Sequence, residues 1–222
     1  VTETTTHTYA TAGLYTISIS GDFPLFSTSN FDGSGIAEQY RSIEQWGDIK
    51  WQSVEYFLED ATNIIGNGTD TPDLRGVTSL YGFFNDAEAF NSEINLWQVG
   101  HITDMEQMFF GADAFNQDIG DWDVSAVTTL KSTFHGALAF NQDISSWDVS
   151  SVTTLEQVFN SAHSFNQDIS GWDVSHVENF RRLFSAAISF NQDVSAWDFS
   201  SATNLTLMFS GATLSTEYYD NL

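Results

Sequence analysis

Phe90, Phe115, Phe140, Phe165 and Phe190 stand 25 residues apart, and each is followed by an asparagine: Asn91, Asn116, Asn141, Asn166 and Asn191. Trp97, Trp122, Trp147, Trp172 and Trp197 keep the same interval, as do Phe84, Phe109, Phe134, Phe159, Phe184 and Phe209. A third column is Ala87, Ala112, Ala137, Ala162, Ala187 and Ala212. One full unit, Phe140 to Ser164, reads FNQDISSWDVSSVTTLEQVFNSAHS. Five units run from about Phe90 to Thr213, and a degenerate one precedes them with Val77, Leu80, Phe84 and Ala87 in register. A unit this short cannot bury both of its faces. Stability must therefore come from stacking one unit on the next.

Within a unit, Ile144, Trp147, Val149 and Val152 follow the spacing of a leucine-rich-repeat strand segment. A short strand is expected, centred on Trp147-Asp148-Val149. Val152, Leu155, Phe159 and Ala162 recur at three and four, the interval of one helical face. Thr153 and Glu156 fit a capping box at its start. The expected fold class is α/β: a right-handed leucine-rich-repeat-type solenoid with short parallel strands on one face and short helices on the other. Successive turns are expected roughly 4.7–4.9 Å apart. The aromatic columns then form the core, where Phe165→Ala or Trp172→Ala should cost on the order of 3–5 kcal/mol and unfold several units together.

The chain divides into four parts. Residues 1–35 read as the tail of a β module, with a strand in YATAGLYTISISG (Tyr9 to Gly21). Residues 36–73 read as an N-terminal cap of helical spacing carrying Trp46 and Trp51, ending in a Gly/Asn/Thr/Asp/Pro loop. Residues 74–213 are the repeats, and 214–222 begin a C-terminal cap. Neither terminus has the character of a natural end, so the chain reads as a fragment.

Charge excludes one class of partner. Thirty acidic against six basic residues give a formal charge of −24, and phosphate contacts need Lys and Arg. Nucleic acid and anionic membrane surfaces are disfavoured, and cations or basic partners favoured. No apolar run approaches the length of a membrane span, so no membrane insertion is expected of this segment. Cysteine is absent, which removes disulfides, thiolate metal sites and thiol nucleophiles.

The string FNQDISSWDVSSVTTLEQVF, repeated in register, resembles the BspA-type leucine-rich-repeat family of bacterial surface proteins. The likeness covers roughly Ile43 to Tyr219. The segment His7 to Ile17 resembles the final strands of polycystic-kidney-disease-type or related β-sandwich modules. The first resemblance implies secretion, cell-surface attachment and adhesion, with an extracellular protein or glycan as partner. It implies no particular ligand.

Several columns are candidate sites. Asp123, Asp148, Asp173 and Asp198 lie between inward Trp and Val positions, so strand alternation points their carboxylates outward along the concave sheet. Such a row either accepts hydrogen bonds from nearby Ser or Thr hydroxyls and N–H groups such as those of Ser150 and Ser151, or binds cations or a basic partner. A second acidic column is Asp118, Asp143, Asp168 and Asp193. Asp118, Asp121 and Asp123 in DIGDWD form the densest carboxylate cluster and the candidate calcium site, although no EF-hand-type loop supports it. Calcium is the one cofactor in view. The Asn column reads as satisfying backbone groups, and the Trp column as core.

Variable positions are the better ligand candidates, since the scaffold does not dictate them. They include Leu96, Asp121, Ser146, Gly171 and Ala196 before the tryptophans, and His101, Ala126, Ser151, His176 and Ser201 after the strands. Arg181-Arg182 concentrates two of the six basic residues on the expected helix, as a local contact or a solvated face. No GxSxG, HExxH, P-loop or dinucleotide fingerprint is present, and the histidines other than His101 and His176 fall in different columns. Two functions follow: a non-enzymatic surface adhesin, or a structural spacer rigidified by calcium.

Overall fold

The computed structural model describes residues 11, 13–16, 18 and 37–220. The β-module tail at 1–35 and the strand expected from Tyr9 to Gly21 lie largely outside these residues. Regular elements among them are few: a 3-10 turn at Ala37–Gln39, strand β1 at Ser42–Ile43, strand β2 at Ile65–Gly66 and helix α1 at Thr216–Asp220. β1 and β2 pair in parallel, with Ser42 opposite Ile65. No helix among the described residues is long and apolar enough to cross a membrane.

Order comes instead from contacts between coils. Single parallel bridges link Ser79 to Asp104, Asp104 to Thr129, Thr129 to Thr154, Thr154 to Asn179 and Asn179 to Asn204. The parallel ladder therefore passes through the Thr154 column, not through Trp147-Asp148-Val149, which forms no bridge. Downstream of it, the helix expected over 152–162 is a ribbon of tight turns. Leu155, Gln157, Phe159 and Ser161 donate their N–H groups across to the carbonyls of Asn179, Arg181, Leu183 and Ser185, at 2.8–2.9 Å. Val158, Asn160 and Ala162 donate back to Leu155, Gln157 and Phe159 within the coil. Alternate amides thus serve the neighbour and the turn, and few backbone donors in the ribbon are left over.

Two facts decide against a helix. Gln157 and Ser161 sit at φ 58° and 59°, which breaks any i→i−4 ladder. Rings in successive coils are also too close. Phe134, Phe159 and Phe184 stack at 5.8 and 5.7 Å, whereas side-by-side helices need about 8–10 Å. A chain of i→i+3 turns turns every third or fourth residue inward just as a helix does, and so imitates its sequence period. The expected capping box is absent for the same reason: the Thr153 hydroxyl donates to the carbonyl of Thr128 at 3.3 Å, and the Thr154 hydroxyl accepts from the N–H of Glu156 at 3.2 Å.

The apolar reading of the columns holds. Val152, Leu155, Val158, Phe159, Ala162, Phe165, Ile169, Trp172 and Val174 are all buried. Within a coil Phe159 lies on Phe165 at 3.8 Å, and the same pairing recurs for Phe134 with Phe140 and Phe184 with Phe190. A continuous zigzag of phenylalanine rings runs along the stack. The indoles of Trp122, Trp147, Trp172 and Trp197 meet their polar need in the preceding coil: Trp147 Nε1 donates to the Ile119 carbonyl and Trp172 Nε1 to that of Ile144, both at 3.1 Å.

The segment expected as a helical cap carries no α-helix among its described residues. It is a further coil. Val54, Phe57, Leu58 and Ala61 occupy the places of Leu80, Phe83, Phe84 and Ala87, and Tyr56 and Leu58 donate to Tyr81 and Phe83 of the next coil. The offset here is 26, one residue off the period, which hid the unit from a search at 25. Trp46 and Trp51 pack edge-on against Trp97 and Phe57, at 5.3 and 5.0 Å.

Candidate ligand-binding surface

The two acidic columns are built as turns. Asp148 Oδ1 accepts from the Ser150 N–H at 3.1 Å and from its hydroxyl at 2.6 Å, and Asp123 and Asp173 repeat this with Ser125 and Ser175. Asp198 takes the Ser200 N–H at 2.8 Å. In the second column, Asp118, Asp143, Asp168 and Asp193 accept from the N–H two residues on. These are Asx turns, in which an aspartate satisfies a backbone donor that the sharp bend would strand. Bonds from Ser150 and Ser125 hold the Asp148 and Asp123 carboxyls below the usual range, the hydroxyl contributing most. Backbone and side-chain bonds from Ser145 and Ser170 do the same at Asp143 and Asp168. The Asp148 column is exposed, as strand alternation implied, but on bends and not on a sheet.

Asp118, Asp121 and Asp123 do not converge. Asp118 and Asp123 each serve their own turn, Asp121 stands exposed, and no group of three acidic or histidine side chains among the described residues is arranged to hold a metal. A shallow groove of about 450 Å³ lies between successive Asx turns, lined by Asp143, Ser145, Gln167, Asp168, Ser170 and Gly171. In thermal unfolding, millimolar calcium and magnesium should raise the midpoint alike, by screening carboxylate repulsion. A rise of several degrees with calcium alone would instead mean a specific site in the folded state.

The asparagines form a ladder. Asn141 Oδ1 accepts from the Asn166 N–H and from Gln167 Nε2, both at 2.9 Å, while Gln167 Nε2 also donates to the Asn141 carbonyl. The pattern repeats from Asn91 to Asn191, whose Oδ1 accepts from the Ser215 N–H. Asn and Gln thus stitch coils together at the bend after each inner phenylalanine.

The variable positions stand outside. Leu96, Asp121, Ser146, Gly171 and Ala196 are exposed, as are Ser151 and His176. His101 is half-buried, its Nε2 sharing a proton with the Leu74 carbonyl at 2.7 Å. His176 Nδ1 lies 3.3 Å from the Ser175 hydroxyl, which is itself turned to Asp173. That order places serine between the other two, with no base aimed at a free nucleophile.

One variable column escaped the sequence reading. Tyr81, Glu106, Lys131, Glu156, Arg181 and Thr206 follow the ladder by two residues and are partly accessible, apart from exposed Thr206. Lys131 pairs with Glu106 at 2.8 Å and Arg181 with Glu156 at 2.9 Å, so charges alternate along the stack. Tyr56 meets Tyr81 edge-on at 4.9 Å at its N-terminal end. The signal was the alternation of sign at an interval of 25.

A family model described as Mycoplasma protein of unknown function, DUF285, matches residues 52–150 and again 118–221. The chain belongs to this family. The DUF285 matches overlap and together take in residues from the coil at Val54–Ala61 onward. No curated protein matches the chain. No solved structure matches it.

Proposed function

We propose that this DUF285 chain is a non-enzymatic, secreted or cell-surface binding protein of the BspA-type, following a β-sandwich module of the polycystic-kidney-disease type. Its coils form a right-handed solenoid of leucine-rich-repeat character. One observation carries the reading: residues common to the units are spent on core, amide ladder and Asx turns, while columns that change in chemical character between units, such as Leu96, Asp121, Ser146, Gly171 and Ala196, stand at the surface. A scaffold that leaves one set of positions free at a constant interval suits recognition of an extended extracellular protein or glycan. The carboxylate rows add a preference for basic ligands.

The test is a binding screen against matrix proteins and glycans, followed by substitution of Asp121, Ser151 and His176 by alanine. An adhesin loses affinity by at least roughly tenfold, or about 1.4 kcal/mol, with its melting temperature unchanged. The uniform interior supports a second reading, a spacer that holds other modules apart. That reading would be favoured if the screen returned no partner.

A further inference from the structure

Six basic side chains stand against thirty acidic ones, so an arginine without a carboxylate is unexpected. Arg75, Lys131 and Arg181 are ion-paired. Arg41 and Lys50 are exposed, where water serves them. Arg182 is neither. It is half-buried, its Nε is shielded from solvent and has no acceptor, and no carboxylate among the described residues pairs with it. A donor withdrawn from water without an acceptor costs free energy, and the terminal nitrogens of Arg182, which are not sealed off in this way, face no carboxylate among the described residues.

The repeat identifies what lies beside it. Asn85 Nδ2 meets Gln107 Oε1 at 3.3 Å, and Gln157 Nε2 meets His135 Nδ1 at 3.5 Å, each pair 22 residues apart. The same step places Arg182 next to Asn160, which is 7% exposed. Asn160 Oδ1 accepts from the Ser161 hydroxyl at 3.2 Å, leaving its NH₂ group to donate. In the following coil, Leu207 fills the Arg182 place and is 48% exposed. The local field is positive: His135 is held below the usual imidazole value by burial first and by the charge of Arg182 second. A carboxylate seated on Arg182 would cancel that second effect.

We propose that Arg182, with the Asn160 amide beside it, binds the carboxylate of an acidic sugar. The planar guanidinium fork fits a carboxylate in two parallel bonds. The formal charge of −24 repels polyanions, so a ligand with one carboxylate per ring and otherwise neutral hydroxyls is favoured over an acidic peptide. Leu207 offers an apolar patch for the ring face. The site lies on a different column from Asp121, Ser151 and His176, so it stands or falls independently of the binding reading above.

The test uses the chain as it is and Arg182→Gln, a residue that Gln107 and Gln157 show the ribbon accepts at this place. The titration of all five histidines is followed by NMR, with and without tens of millimolar glucuronate at constant ionic strength. Glucuronate should raise the His135 pKa saturably in the parent chain, leaving His101 and His176 unmoved. In Arg182→Gln, His135 should already titrate higher and glucuronate should add nothing. An unmoved His135 in the parent chain would overturn the site. An equal response to acetate, or a stronger one to a glutamyl peptide, would overturn the sugar assignment.

Discussion

Phe159→Ala should lower the unfolding free energy by about 3–5 kcal/mol, whereas Phe209→Ala should cost less than half as much. Phe159 is fully buried and touches rings on four sides: Phe165 at 3.8 Å, Phe184 at 5.7 Å, Phe134 at 5.8 Å and Trp172 at 6.3 Å. Removing it opens a hole that neighbours on both sides line, and a stacked array cannot collapse into it without losing register. Among the described residues Phe209 has a ring partner on one side only, Phe184 at 5.5 Å, and it is half-buried. Because each coil contacts only its neighbours, a central defect should weaken two interfaces and a terminal one a single interface. Urea denaturation followed by tryptophan fluorescence measures both. Equal losses at the two positions would mean that the phenylalanine zigzag is not what couples the coils.

Asn141→Ala should cost about 1–3 kcal/mol through the groups it strands. Its Oδ1 is the acceptor of the Asn166 N–H and one of two acceptors for Gln167 Nε2 among the described residues. Loss of the amide therefore leaves a backbone donor of the next coil with only water to answer it. Asp148→Ala is the comparison. That carboxylate is exposed and serves one serine in its own turn, so its loss should cost no more than roughly 0.5–1 kcal/mol. Although both residue types recur at an interval of 25, only the asparagine ties one coil to another. If the aspartate proved the costlier loss, the Asx turns and not the amide ladder would be holding the bends.

What could be read in the sequence was the inventory of columns; what could not was the path of the backbone between them. Phe140, Trp147, Val152 and Phe159 are inside, as their interval implied. Asparagine was recognised as a backbone partner because its amide both donates and accepts at a bend. The helix was misread because a ribbon of turns and a helix share their inward period. Only the donors tell them apart, since a helix keeps its hydrogen bonds and this ribbon gives half of them away. Positive φ at Gln157, Arg182 and Leu207 carried no warning, because none of these residues favours that region. The strand slipped from Trp147 to Thr154 because a single bridging residue per coil leaves no alternation to detect. At the candidate surface the Asp148 hydrogen bonds follow from the serines beside the column, whereas Asp118, Asp121 and Asp123, close along the chain, are not gathered into a group of three by the described residues. The adjacent Arg181 and Arg182 look alike in the sequence, and only the structure separates them, since Arg181 alone is neutralised.

The division of hydrogen bonds in the ribbon has a mechanical consequence. Every second amide of the ribbon, from Leu155 to Ser161, is held by the next coil. Tension on the chain end therefore loads those bonds one coil at a time, like a strip drawn from a roll, while the rest of the stack stays folded. Each coil that lets go releases 25 residues, or roughly 80–90 Å of slack, and exposes a fresh coil of the same strength. Under a steady pull such an array would lengthen in even steps, absorbing a jerk that would snap a single compact fold open at once.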